Sequence, residues 1–128
     1  MNILHSFQFK IPLKTKFGTE FIEVSEIIYF FVEDCKVKAL LFNGHTIRVF
    51  HTLTELESSM SDMHFYRCHA ARLINLGHVK RYNHKTCIIE LSNNISLKVA
   101  CYRKVEFNRM IYSTSPPTLI SLRTILIN

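Results

Sequence analysis

Cys68 and His69 stand side by side in this chain of 128 residues, and a thiol beside an imidazole is the pairing from which a nucleophile and its general base are built. Their setting argues against that use. They fall in the alternating segment 65–69, and adjacent side chains of an extended strand point to opposite faces, so the two cannot act on each other. Cys68 is expected as a small buried apolar group, and His69 as a strand residue bonded to a nearby loop. Adding His78 and Cys87 gives four residues of metal-ligand type, but the sequence has none of the short Cys or His pairs of structural zinc sites. No metal is expected. The chain also lacks GxSxG, HExxH and a Gly-rich phosphate loop, so neither catalytic residues nor a cofactor are expected.

The remaining chemistry is basic. Sixteen Lys and Arg against ten Asp and Glu leave +6. Residues 1–60 hold six basic and seven acidic side chains, whereas residues 61–128 hold ten basic and three acidic ones. A charge concentrated in one half suits a polyanion, with nucleic acid ahead of an anionic membrane, against the bland alternative of a solvated basic face. The longest apolar run, residues 27–32, is six long, far short of the roughly 20 that a spanning helix needs. No membrane partner is expected. Four cysteines without a paired spacing, and no secretory leader in the first residues, point to reduced thiols and a cytoplasmic setting.

With 48% hydrophobic and 20% charged residues the chain can bury a core. One domain over residues 1–112 is expected, followed by a tail over 113–128 that opens on Ser-Thr-Ser-Pro-Pro. Phe7, Phe9, Ile11 and Leu13 alternate as one face of an edge strand marked by Pro12. Residues 21–24 form a second candidate strand. The β-branched and aromatic run 27–32 reads as a central strand, followed by 37–42 and, after Asn43-Gly44, by a returning strand in a hairpin.

Thr52-Leu53-Thr54-Glu55 is a capping box, and Leu53, Leu56 and Met60 then share one helical face, so a helix over 53–61 is predicted to lie on the sheet. Extended pieces resume over 65–69, 72–76, 78–82 and 85–91, with Gly77 and Asn83 as turn residues. Asn93-Asn94 joins 88–91 to 95–99. A short helix is predicted from Tyr102 to Ile111.

The stretch 65–79, Phe-Tyr-Arg-Cys-His-Ala-Ala-Arg-Leu-Ile-Asn-Leu-Gly-His-Val, resembles the signature of the LytTR family of bacterial DNA-binding domains. Phe65, Arg67, His69, Leu73, Ile74, Asn75, His78 and Val79 fill the family's Phe-x-Arg-x-His, aliphatic-aliphatic-Asn and His-aliphatic places. Glu26 to Phe30 looks like the family's acidic-Ile-x-Tyr strand, Leu53 and Leu56 like its short helix, and residues 98–107 like its closing strand, loop and helix. The resemblance spans about residues 10–111. It implies a mostly β fold of antiparallel sheets with one or two short helices, whose loops enter successive grooves of double-stranded DNA in transcription regulation, with room for a homodimer on DNA.

Carried onto this chain, the resemblance and the basic charge together nominate Lys36, Arg67, His69, Arg72, Asn75, Tyr102, Arg103 and Lys104 as DNA-binding residues. Five of them have a plainer role open: Lys36 as an exposed hairpin lysine, His69 and Asn75 as loop organisers, Arg103 and Lys104 as solvated helix residues. The chain departs from the family where Ala70 and Ala71 follow His69, and where Ala100 and Cys101 stand near the close. Those places often carry polar contacts, so base readout is weakened more than phosphate binding. Two classes of function follow: a DNA-binding transcription regulator, or a protein-interaction module on the same fold that has lost base readout.

Overall fold

The computed structural model describes residues 10–113. The alternation expected through Phe7 and Phe9, and the tail past Ser113, lie outside the described residues. Ten strands and two helices account for most of the described chain.

β1 (Lys10–Thr15) and β2 (Gly18–Glu23) form an antiparallel hairpin, with Ile11 opposite Ile22. Ile11, Leu13 and Thr15 alternate inward, and Gly18 takes the positive φ of 106° that turns the chain. β2 therefore starts earlier than the predicted 21–24. Then come β3 (Ile27–Glu33), β4 (Lys36–Leu41) and β5 (Thr46–Val49), and later β6 (Phe65–His69) and β7 (Arg72–Asn75). They make one five-stranded antiparallel sheet in the order β5-β4-β3-β7-β6. The run around 27–32 is its middle strand, as the sequence predicts.

The connection after β4 is a four-residue loop, not the two-residue turn that Asn-Gly favours. Asn43 Oδ1 accepts the His45 N–H at 2.9 Å, and Gly44 sits at φ 92°. The tighter turn occurs between β3 and β4, where Asp34 and Cys35 both have positive φ, at 54° and 61°. That is the geometry of a primed hairpin turn, reached here without glycine.

α1 (Leu53–Ser59) begins on the predicted capping box: the Glu55 N–H donates to Thr52 Oγ1 at 3.0 Å and the Thr52 N–H to Glu55 Oε1 at 2.9 Å. It ends two residues earlier than expected, and residues 61–63 tighten into a turn of 3-10 helix. β8 (Val79–Asn83), β9 (Ile88–Leu91) and β10 (Ile95–Lys98) form a second sheet in the order β10-β9-β8. β9 starts later than the predicted 85–91 because Asn83 Oδ1 accepts the N–H groups of Lys85 and Thr86, which commits those residues to a turn. Asn93 and Asn94 adopt the left-handed conformation expected of them. α2 (Lys104–Ser113) closes the described chain.

The five-stranded sheet is covered on both faces. Ile27, Phe30, Ala39, Val49, Phe65 and Leu73 face a core closed by β1, β2 and α1, to which the helix contributes Leu53 and Leu56, with Met60 just beyond it. Ile28, Tyr66, Cys68 and Ile74 face a second core closed by the three-stranded sheet and by Phe107 of α2. Neighbouring residues such as Leu73 and Ile74 feed different cores, so the strand positions read as continuous apolar pairs rather than as a half-polar alternation.

Phe30 is fully buried at the centre of the first core, and Phe30→Ala is expected to cost about 3–5 kcal/mol. Removing the cap by Thr52→Ala should cost about 1 kcal/mol. Urea unfolding of both variants measures the two effects, and the cap variant should show an unchanged dependence of free energy on denaturant.

Candidate nucleic-acid interface

Antiparallel pairing brings several connections to one end of the molecule. The β3–β4 turn lies beside the β6–β7 turn, because Phe31 pairs with Arg72 and the Val32 N–H donates to the Ala71 carbonyl at 3.0 Å. The strand leaving β10 joins them through the Ala100 N–H, which donates to the Cys68 carbonyl at 3.0 Å. Val49 pairs with Val37, so the β5–α1 connection reaches the same end. Four connections from distant parts of the sequence thus share one edge of the fold.

The residues of the 65–79 stretch shape this edge from below. Arg67 donates through Nε and Nη2 to the Ala70 carbonyl at 3.2 and 2.7 Å, and through Nη1 to Thr54 Oγ1 at 3.0 Å and Glu57 at 3.3 Å. One guanidinium therefore pins the β6–β7 turn to α1. His69 Nδ1 accepts the Ala71 N–H at 3.1 Å, which fixes that nitrogen as the unprotonated one. His69 bonds to the neighbouring turn, as its strand position predicts.

Arg103 donates through Nη1 to the Arg67 carbonyl at 2.7 Å and lies with its guanidinium 5.3 Å from the Tyr102 ring centre. It locks the start of α2 to β6. Glu106, one turn along, accepts from the Tyr66 hydroxyl at 2.8 Å. Burial, and then the Glu106 carboxylate, push the Tyr66 phenol well above its ordinary range, so it remains a donor at neutral pH.

Asn75 lies at the far end of β7, away from these connections. It is 5% exposed; its amide nitrogen donates to the Val24 and Ile27 carbonyls at 3.1 and 2.9 Å, and its Oδ1 accepts the Gly77 N–H at 2.9 Å. The side chain is placed inside the framework rather than at the surface. His78 is a second clamp there: its Nε2 contacts the Ser25 carbonyl at 2.6 Å and its Nδ1 contacts Ser92 Oγ at 2.8 Å. A carbonyl only accepts, so Nε2 carries the proton and the Ser92 hydroxyl donates to Nδ1.

The nominated residues therefore divide by geometry. Lys36 and Tyr102 are exposed at the shared edge, Arg72 and Lys104 are half-buried there, and Arg67, His69 and Arg103 face inward onto backbone carbonyls and amides. Glu33, beside Lys36, is held by Lys38 Nζ at 2.8 Å, which offsets part of its charge. Arg48 was not nominated from sequence. It is exposed next to Lys36 in a shallow groove that also includes Phe50, His51 and Arg67, with its guanidinium 4.6 Å from the Phe50 ring centre. Only its pairing opposite Lys38 in β4–β5 reveals it. Lys98 is likewise exposed where β10 enters the edge.

Among the described residues no group of three or more His, Cys, Asp or Glu side chains comes together as a metal site, and Cys68 and Cys87 share the second apolar core. Burial pushes the Cys68 thiol up to about 11.

A small, mostly β domain that gathers its connections into one basic edge on a doubly covered sheet is the class of protein defined so far. The profile of the LytTr DNA-binding domain matches residues 18–112. The chain belongs to the LytTR family of DNA-binding domains. A solved LytTr DNA-binding domain from Bacillus cereus superposes with a TM-score of 0.65 at 23% identity, over 82% of this chain and 97% of that one, which shows the shared fold. Curated proteins yield no match. No described helix is long and apolar enough to cross a membrane.

Cys35 is exposed whereas Cys68 and Cys87 are buried. A thiol-specific reagent at neutral pH should modify Cys35 while Cys68 and Cys87 react only as the protein unfolds. Because the folded Cys68 holds its proton more tightly than an unfolded thiol near 9, its contribution to stability is complete below pH 9 and is lost as pH rises toward 11. Alkaline denaturation followed by labelling in that window checks the sign.

Proposed function

We propose that this chain is a transcription-regulating domain that grips duplex DNA with the edge built from the β3–β4, β5–α1, β6–β7 and β10–α2 connections. The carrying observation is that the β3–β4, β5–α1, β6–β7 and β10–α2 connections, which bear Lys36, Arg48, Arg72, Lys98, Tyr102 and Lys104 in or beside them, share one edge of the sheet. Family membership supports the same surface chemistry.

The mechanism follows from the division of labour. Lys36, Arg48, Arg72, Lys98 and Lys104 neutralise phosphates, which provides affinity and steers encounter with the duplex. Tyr102 offers a donor and a planar face at the groove. Arg67, His69 and Arg103 act as positioning residues that hold the turns whose spacing must match the duplex, while Asn75 holds the framework at the opposite end of β7. Arg103 also lies close enough to the edge to take part in the contact. Domain bounds of 1–112 with a tail over 113–128, a cytoplasmic setting, and binding as a homodimer belong to the same proposal.

Ala70 and Ala100 place small apolar side chains in two of the presenting segments, which favours phosphate over base contacts. This is the observation behind the second class, a protein-interaction module without base readout. The two separate in a salt titration against duplex DNA, with heparin alongside. Affinity for duplex should fall steeply between ~50 and ~200 mM salt. Lys36→Ala and Lys104→Ala should each lower the slope of log affinity against log salt by about one and weaken all sequences alike. Arg103→Ala should cost stability as well as affinity, because it also frees the Arg67 carbonyl. Ala70→Asn should raise discrimination between sequences. Salt-insensitive association, or none at low salt, would refute the DNA proposal and leave the interaction module.

A further inference from the structure

Away from the basic edge, β8 and α2 enclose a groove of about 520 Å³, within the roughly 300–1,000 Å³ of small-ligand sites. Leu76 and Val79 line it from the strand side and Phe107, Met110 and Ile111 from α2, with Met63 from the turn after α1. Two aromatic contacts join the sides. Tyr82 of β8 meets Phe107 edge-on with ring centres 4.8 Å apart, and His84, just past β8, lies parallel to Tyr112 at 6.4 Å. Such contacts set the width before anything enters, whereas the unbranched side chains of Met63 and Met110 can adapt to an occupant.

The charge around the groove has one sign. Lys80, Arg81, His64 and His84 line it together with the apolar residues, and among the described residues no Asp or Glu does. Arg81 is offset by Glu90, whose carboxylate accepts its Nε–H at 2.9 Å. Lys80 is exposed and forms no ion pair among the described residues.

We infer that this groove binds a small amphipathic anion, with its apolar body between β8 and α2 and its charged group beside Lys80. Moving the apolar body out of water onto walls already in place supplies the driving force. At the rim the anion keeps much of its hydration, so pairing with Lys80 avoids the desolvation that a buried ion pair would suffer. An uncharged molecule of the same shape gains the first contribution and forgoes the second. A cationic one meets Lys80 and Arg81 with no carboxylate in the lining to balance them. None of the residues of the groove is among those placed at the basic edge, so this binding and the grip on duplex DNA can fail independently.

The probe is decanoate, titrated into the full chain with amide chemical shifts as the readout. The shifts should saturate and concentrate on residues 76–84 and 107–112. Octanoate should bind about tenfold more weakly, because it buries two methylenes fewer. Decanol should bind about fivefold more weakly than decanoate, and Lys80→Gln should erase that difference while leaving decanol binding unchanged. Ile111→Trp, which fills the groove, should abolish the binding of both. No saturable binding to the full chain, equal affinity for decanoate and decanol, or shifts centred on the basic edge would overturn the proposal. If Ile111→Trp does not fold, the shift map of the unaltered chain and the Lys80→Gln comparison decide.

Discussion

The strands β3, β6 and β7 of the five-stranded sheet must hold their register to within one residue, because each sends buried side chains into apolar cores on both faces. Sliding one strand by a single position would exchange its two sets of side chains between the cores. On β3 such a slip would move Phe30 and Ile28 into each other's sides, and the two cores differ in shape: one is closed by a helix and a hairpin, the other by a second sheet. The basic edge inherits this constraint. Its connections come from strands whose ends are aligned only because the ladder is in register, so the spacing between Lys36, Arg72 and Lys104 is set by the packing of residues such as Phe30, Leu73 and Ile74.

The polar residues that fix the edge work from inside it. Arg67 has 19% of its side chain exposed and spends its donors on the Ala70 carbonyl, Thr54 and Glu57. Arg103 then caps the Arg67 carbonyl. These are charge-assisted bonds at partly shielded positions, stronger than neutral ones and selective for geometry. Asn75 and His78 do the same at the opposite end, tying β7 and β8 to the turn before β3 and to the Ser92 hydroxyl. A guanidinium used in this way lends the edge its shape and part of its positive charge, while Lys36 and Lys98 on its rim meet the solvent.

Ala70 and Ala100 fit that arrangement. Turn shape at residues 70–71 comes from Arg67 and His69 acting on backbone groups and from the Val32 bond to the Ala71 carbonyl, so side chains at 70 and 71 are free to be small without loss of the loop. What small residues give up is side-chain donors and acceptors at the tip. The shape of the edge and the polarity of its tip are therefore separable properties in this fold.

The sequence alone determined the elements whose causes are local. The Thr52 and Glu55 box, the 3.6-residue spacing of Leu53, Leu56 and Met60, and the left-handed tolerance of Asn93 and Asn94 act within a few residues, and each appears where the pattern placed it. The ordered stretch from Phe65 to Val79 carried the family as well. Tertiary structure decided what depends on pairing between distant segments. Leu73-Ile74 and Phe65-Tyr66 show only as apolar pairs until the second core is present, because a strand buried on both faces has no polar side to mark its direction. Asn75 and Arg67 are polar residues of the kind that bind ligands, and nothing local reveals that the Val24 and Ile27 carbonyls lie within reach of one, or Thr54 and Glu57 within reach of the other. Arg48 was invisible for the converse reason: its neighbours in sequence say nothing of Lys36, and only the β4–β5 ladder sets the two cations on one edge.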